Sequence, residues 1–226
     1  MPLFRLVPIL AFAALPLTAL AEDAPAEEAP AEEAPAEEAA PAGPITYTID
    51  SAKTVLIVRT YRGGIAGALA HNHAIRSMKT TGSVAWQDGG AGCNFDINVD
   101  VPSFRVDHLS DRKIMGLEGE VDAGQVEDIK ENMLGSDQLN ASAHKSMSFK
   151  ATSCTADSAS GTLTIVGKGA SKKVPLKVTV EGDSLRVKGT LHFKHSDFGI
   201  EPYSTGFGAI SNEDKLTMKI DVHAKP

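Results

Sequence analysis

His71 and His73 are the residues of this chain best placed by type and spacing to do chemistry. In extended backbone, positions two apart point to one side, so both imidazoles could reach one metal ion or the polar head of one ligand. Two histidines do not complete a site for zinc or copper, which needs further ligands. His195 is the best third candidate, because it continues the inward row of Leu191 and Phe193. His108 and His144 fall at loops or strand ends, and His192 and His223 fall on outward rows. Three readings of His71, His73 and His195 stay open: a metal site, recognition of a polar head group, or rim histidines satisfied by hydrogen bonds of their own. The run His71-Asn72-His73 is not the nuclease pattern of the same letters, which spreads its residues over a ββα unit.

Cys93 and Cys154 are the only cysteines. In an oxidising compartment such a pair is usually bridged. Cys93 shares the inward parity of Phe95, whereas Cys154 shares the outward parity of Lys150 and Thr152, so a bridge calls for a bulge or frayed end near Cys154. No G-x-S-x-G elbow, phosphate loop or paired-carboxylate pattern appears. The reading is therefore a protein that is not an enzyme and carries no cofactor. Asp107, Asp111 and Arg112 read as a surface ion pair.

The N-terminus carries an address. Arg5 precedes an apolar run from Leu6 to Leu20 that ends in Ala19-Leu20-Ala21, the pattern of a secretory signal cleaved after Ala21. Pro8 and Pro16 interrupt that run, and it is shorter than the roughly 20 residues a spanning helix needs. Residues 1–21 are thus expected to be a signal peptide, with no transmembrane anchor in the mature chain and a periplasmic or secreted destination. Residues 22–44 repeat the unit APAEE, whose Ala-Pro steps and paired glutamates predict a disordered, extended tether. The whole chain has 22 Lys+Arg and 29 Asp+Glu. Setting aside the eight tether acids and Arg5 leaves 21 of each sign, a neutral domain over 45–226. Neutrality argues against a nucleic-acid partner.

These side chains must be positioned by strands. Tyr47 to Arg62 gives two extended pieces broken at Asp50-Ser51. Within the second, Val55 and Ile57 face one way and Leu56 and Val58 the other, which predicts cover on both sides. Ala74 to Trp86 reads as one long stretch with a bend at Gly82. Cys93, Phe95, Ile97, Val99 and Val101 alternate with polar residues, a half-buried strand. Asp122 and Gln125 mark a helix start, Val126, Ile129, Met133 and Leu134 fall at helical spacing, and Gly135 is its stop. A helical turn is also possible near Asp111 to Met115. Alternation resumes at Met147, Phe149 and Ala151, continues through Leu163 and Ile165, then Val174 to Val180, then Leu185 to Phe193, and ends at Leu216 to Val222. The pattern predicts an all-β, eight-stranded antiparallel up-and-down barrel with one helical excursion between the third and fourth strands. Such an interior either fills with side chains or holds one small ligand. Parity assigns to it Val55, Ile57, Phe95, Ile97, Val99, Phe149, Leu163, Ile165, Leu176, Val178, Leu191, Phe193, Met218 and Ile220, some of which must pack beneath the helix instead.

The order of short motifs resembles the YceI-like family. These are Tyr47-Thr48-Ile49-Asp50, the segment Gly82 to Trp86, Arg112 to Gly116, Asn132-Met133, the run Leu163 to Gly167, and Ser196 to Ile200. The resemblance implies a lipocalin-like barrel that holds a polyisoprenoid or quinone-type lipid in the periplasm. The segment Gly67 to Ile75 departs from the family pattern and is similar to a histidine-bearing branch. The expected partner is therefore an isoprenoid or quinone-type lipid, with a homodimer left open. The alternatives are a metal-binding protein using His71, His73 and a third group, and a ligand-free interaction module.

Overall fold

Strict alternation of small or apolar with polar residues makes Ser158–Ile165 a strand, and its burial follows suit: Ala159, Gly161, Leu163 and Ile165 are buried while their neighbours are half-exposed. The computed structural model describes residues 43–226, so the signal peptide expected over 1–21 and the tether up to residue 42 lie outside the described residues. In chain order the strands are β1 (Ile45–Ile49), β2 (Val55–Arg59), β3 (Arg62–Gly63), β4 (Ala74–Arg76), β5 (Thr80–Trp86), β6 (Asn94–Asp100), β7 (Arg105–Val106), β8 (Ser146–Cys154), β9 (Ser158–Ile165), β10 (Lys168–Glu181), β11 (Ser184–Lys194), β12 (Ser204–Thr205), β13 (Ile210–Asn212) and β14 (Lys215–Lys225). Two helices, α1 (Leu109–Ile114) and α2 (Ala123–Leu134), separate β7 from β8.

The strands β1-β5-β6-β8-β9-β10-β11-β14 are hydrogen-bonded in that order, and β1 returns to β14, closing an eight-membered antiparallel barrel. Closure is split between two strands. β1 meets only the end of β14, at Thr48–Lys225 and Ile49–Ala224, while β2 takes the other half, from Thr217–Arg59 to Asp221–Val55. β4 and β7 extend the sheet beyond β2. A separate flap of three short strands pairs β12, β13 and β3.

The helical excursion does not fall between a third and a fourth strand. It lies between the seventh and eighth, because the first two extended stretches break into five strands and the short β7 follows β6. A turn after Asp50 separates β1 from β2, and residues Ser77 to Lys79 divide Ala74–Trp86 into β4 and β5. α2 begins where Asp122 caps it, the carboxylate accepting from Gly124 N (2.9 Å) and Gln125 N (3.4 Å). It ends at Gly135 in extended backbone, so glycine's left-handed freedom is not what stops it. Gly82 does need that freedom: at φ +124° it lies against the Asp96 carbonyl, which a Cβ would strike.

Cys93 and Cys154 are joined by a disulfide, their Cα atoms 5.9 Å apart. The register of β8 on β9 shifts between Ala151 and Ser153. That bulge reverses parity and brings Cys154 beside Cys93 against the core.

Two apolar clusters form along the barrel interior. One gathers Tyr47, Val84, Trp86, Leu185, Val187 and Ala224. The other gathers Leu163, Leu191, Phe193, Phe198 and Leu216. Register sets them apart along the barrel, since Leu185 pairs with Ala224 and Phe193 with Leu216 at opposite ends of the β11–β14 ladder. A third, small cluster of Ile57, Ala74 and Leu117 lies outside the barrel wall, with Val55 and Met115 against it. Val55 and Ile57 therefore do not face the interior. Leu56 and Val58 do, because they sit opposite Ile220 and Met218, and cross-strand partners share a face. Among the described residues no helix is long and apolar enough to cross a membrane.

Candidate ligand-binding site

The barrel encloses a cavity of about 570 Å³. Its walls are apolar. β6 contributes Phe95, Ile97 and Val99, β8 Met147 and Phe149, β9 Leu163 and Ile165, β10 Leu176, β11 Leu191 and Phe193, and β14 Met218 and Ile220. Ile129 and Met133 of α2 form part of the cover. Val178, paired with Val187, packs into the first core cluster and does not reach the cavity. Leu56, Val58, Ile75, Phe104, Val187 and Val222 line it although strand parity had not singled them out. Leu56 and Val58 were ambiguous because β2 is apolar on both faces. Ile75 and Phe104 lie in pieces too short to show a period.

Polar groups come from a few segments. His71 and His73 follow the flap's first arm, Thr60 directly follows β2, and Tyr203, Ser211 and Asn212 belong to the second arm. Gln125, Asp128 and Asn132 look in from α2, and Gln138 from the loop after it. His195 also lines the cavity. No lysine or arginine is among the lining residues described.

His73 is fixed from behind. Its Nδ1 lies 2.6 Å from Asp107 Oδ2. A carboxylate only accepts, so Nδ1 donates and Nε2 remains as the ring's other polar atom. Asp107 Oδ1 accepts from Ala74 N (2.9 Å) and from the Arg112 guanidinium (2.8 Å). The Asp107 side chain has no solvent exposure and that of Arg112 only 5 %. Burial pushes the Asp107 carboxyl up, but the hydrogen bonds from His73 and Ala74, the charge of His73 and the Arg112 contact outweigh it and hold it below its usual range. Arg112 also donates to the carbonyls of Gly119, Glu118 and Asn72. Asp111, also buried, accepts from Arg105 at 2.9 and 2.7 Å and from Arg76 at 3.3 Å. The surface ion pair expected of Asp107, Asp111 and Arg112 is thus two interior pairs, and Asp111 and Arg112 belong to different ones. Helical spacing makes the difference: neighbours along α1 point to different sides, one to β4 and β7 and one to the histidine segment.

His195 is 9 % exposed, with Nδ1 3.1 Å from the Asp214 carbonyl. Burial pushes its imidazole below the ordinary value, against weaker contrary effects of Asp214 and Glu213. His71, His73 and His195 border one cavity, yet among the described residues no group of three or more His, Cys, Asp or Glu is arranged to hold a metal ion. His73 turns its Nδ1 to Asp107 and His195 its Nδ1 to a backbone carbonyl, which leaves each ring its Nε2. What the arrangement offers is a ring of hydrogen-bonding groups near one end of an apolar chamber. That is the layout of a binding site for a molecule with a long apolar part and a small polar one.

A closed antiparallel barrel around such a chamber is consistent with binding a hydrophobic ligand. Residues 47–224 match the YceI-like domain, and the chain belongs to that family. The crystal structure of Burkholderia cenocepacia BcnA is similar at TM-score 0.58 and 18 % identity, over 78 % of this chain and 99 % of that one. The Campylobacter jejuni YCEI protein is similar at TM-score 0.50 and 13 % identity, over 67 % and 84 % of the two chains. At these identities the likeness is one of fold. No curated protein matches the chain.

Proposed function

We propose that this protein is an exported, non-enzymatic carrier that sequesters an isoprenoid or quinone-type amphiphile inside the barrel. The observation that carries the reading is the apolar chamber of about 570 Å³ with its hydrogen-bonding groups drawn from the flap, His71, His73 and α2. Burial of apolar tail surface drives binding at roughly 25 cal/mol per Å². The head group is neutral on this reading, a quinone, phenol or alcohol, because a phosphate would enter a chamber wall that holds Asp128 and no lysine or arginine. His73, with Nδ1 committed to Asp107, accepts a hydrogen bond from a hydroxyl through Nε2, and Tyr203 or Asn212 donates to a carbonyl. Export rests on Arg5, the apolar run Leu6 to Leu20 and the Ala19-Leu20-Ala21 site.

The test is native mass spectrometry of the protein recovered from its own exported pool, followed by organic extraction of the same sample. A stoichiometric neutral isoprenoid on a chain that begins at Glu22 is the expected result. A folded protein recovered without detergent and carrying no extractable lipid overturns the carrier reading. A phosphorylated lipid overturns the neutral head group alone.

A further inference from the structure

The three most exposed large apolar side chains described sit on the flap. Ile65 is 98 % exposed, Leu69 78 % and Phe207 113 %. They occupy two turns that hold each other: Ala66 N donates to the Ala209 carbonyl (2.8 Å), and Gly63 pairs with Ser211. The turns are tied down by their own hydrogen bonds. Leu69 N donates to Ala66 O (2.9 Å) and Ala209 N to Gly206 O (3.1 Å), and the Arg62 guanidinium donates to the carbonyls of Ala68 (3.2 Å) and Ala70 (3.0 Å). Phe207 stands between Gly206 and Gly208 in left-handed backbone at φ 55°, a conformation a bulky residue adopts only when its surroundings impose it. The fold thus spends order and strain to present apolar side chains to water, where they contribute nothing to its own core.

From this geometry we propose that the flap tip is a membrane-docking element, inserting Ile65, Leu69 and Phe207 into the surface of a lipid bilayer so that a lipid passes directly between bilayer and cavity. It rests on the cavity being a lipid site. Two observations favour a bilayer over a protein. The tip is continuous with the cavity: Ala70 adjoins Leu69, and Thr205 and Ile210 flank the Phe207 turn, and all three line the chamber. The contact area is also small. An aromatic side chain buries roughly 150–250 Å², so one phenylalanine and two smaller aliphatic side chains fall short of the roughly 800 Å² per partner that a stable protein interface buries. The two turns, residues 64–70 and 205–210, carry no charged side chain, so docking rests on apolar insertion.

The experiment is flotation of the processed chain, beginning at Glu22, with vesicles of pure phosphatidylcholine. The wild type co-floats, and high salt leaves this unchanged. The triple variant Ile65→Ser, Leu69→Ser, Phe207→Ser loses at least about tenfold in vesicle affinity, the fall expected for removing three inserted side chains. Val180→Ser, on an exposed apolar residue in the β10–β11 hairpin, floats as wild type does. A fluorescent short-chain isoprenoid added from solution loads equally into wild type and triple variant, whereas its transfer from vesicles slows only in the variant. Equal flotation of wild type and triple variant overturns the proposal. So does a wild type that ignores vesicles but dimerises through these residues, as sedimentation would reveal. Failure of both proteins to take up the soluble probe strikes the carrier reading and leaves the flotation result to judge the flap.

Discussion

Asp107 combines a left-handed backbone (φ 49°) with a carboxylate that reaches His73, Ala74 and Arg112 at once. Little of this was legible in the chain: His73 and Asp107 are 34 positions apart, and the contact exists only because β7 pairs with β4. The shared inward face of His195 with Leu191 and Phe193, by contrast, could be read from parity alone. Asp107→Asn keeps the backbone conformation, which asparagine tolerates, but strands the Arg112 charge in the interior. It is expected to lower stability by about 3 kcal/mol, measured by urea denaturation, with the soluble isoprenoid binding more weakly as His73 loses its anchor. A change within error would mean that the pair is not charged in the folded protein. Acid sensitivity separates the two buried groups. His195 titrates below its ordinary 6.5 in the fold, so the unfolded chain binds its proton first and stability falls as pH drops below that value. Asp107, held below its ordinary 3.8, gives stability that is present above that pH and lost as pH falls beneath it. Tm measured against pH should therefore show two descending limbs on acidification. His195→Gln should remove the first limb, and Asp107→Asn should shrink the second, which Asp197, Asp214 and Asp221 share because their carboxyls are also held below the ordinary value; an unchanged upper limb in His195→Gln would assign it elsewhere.

Elements were legible in proportion to their length and to how clearly they divide a wet face from a dry one. β6, β9 and β11 alternate cleanly and stand where alternation predicts. β2 does not divide, because the α1 segment covers Val55 and Ile57 while the chamber takes Leu56 and Val58, and no parity rule ranks two apolar faces. The flap and β7, in pieces of two or three residues, carry no period at all. α2 was visible from Asp122 and its apolar spacing, but not that it would stay loosely held. None of its residues is buried, and Ile129 and Met133 look into the chamber. A helix with so little covered surface opens at low free-energy cost. Its amides are expected to exchange hydrogen faster than those of β11 in lipid-free protein, and to slow when the isoprenoid adds the missing apolar partner. Equal protection of α2 with and without ligand would mean that the helix is not the cover of the site. β5 makes the opposite case. Gly82→Ala drives a Cβ into the Asp96 carbonyl and should lower stability by about 1–3 kcal/mol, whereas Gly182→Ala, with open space around it, pays only for its left-handed φ of 61°. Similar denaturation midpoints for the two variants would rule out the steric argument.

At the scale of the molecule, the run of alternating strands announced a barrel, and closure was the part hidden from the chain. Closure depends on β1 and β2 dividing β14 between them, which is a matter of three-dimensional register. Whether such a barrel is filled or hollow also lies beyond parity, since inward residues look alike in a core and in a chamber wall. Here Tyr47, Trp86, Leu185 and Ala224 of the first cluster pack without reaching the chamber, Leu163, Leu191, Phe193 and Leu216 of the second line it, and Phe149 and Ile220 touch both clusters and the chamber. Wall atoms facing an open chamber forgo dispersion contacts that a ligand restores. A ligand that binds only the folded barrel adds about 2.7 kcal/mol at a free concentration about a hundredfold above Kd. For a chain of this size that is a rise in Tm of roughly 5–10 °C. Calorimetry of protein before extraction, after extraction and after re-addition of the isoprenoid, with the Cys93–Cys154 bridge oxidised throughout, should fall and recover by that amount. A Tm that ignores all three states would mean the chamber contributes nothing to the fold when filled, and the carrier reading would then have lost the energetic consequence that a buried tail must have.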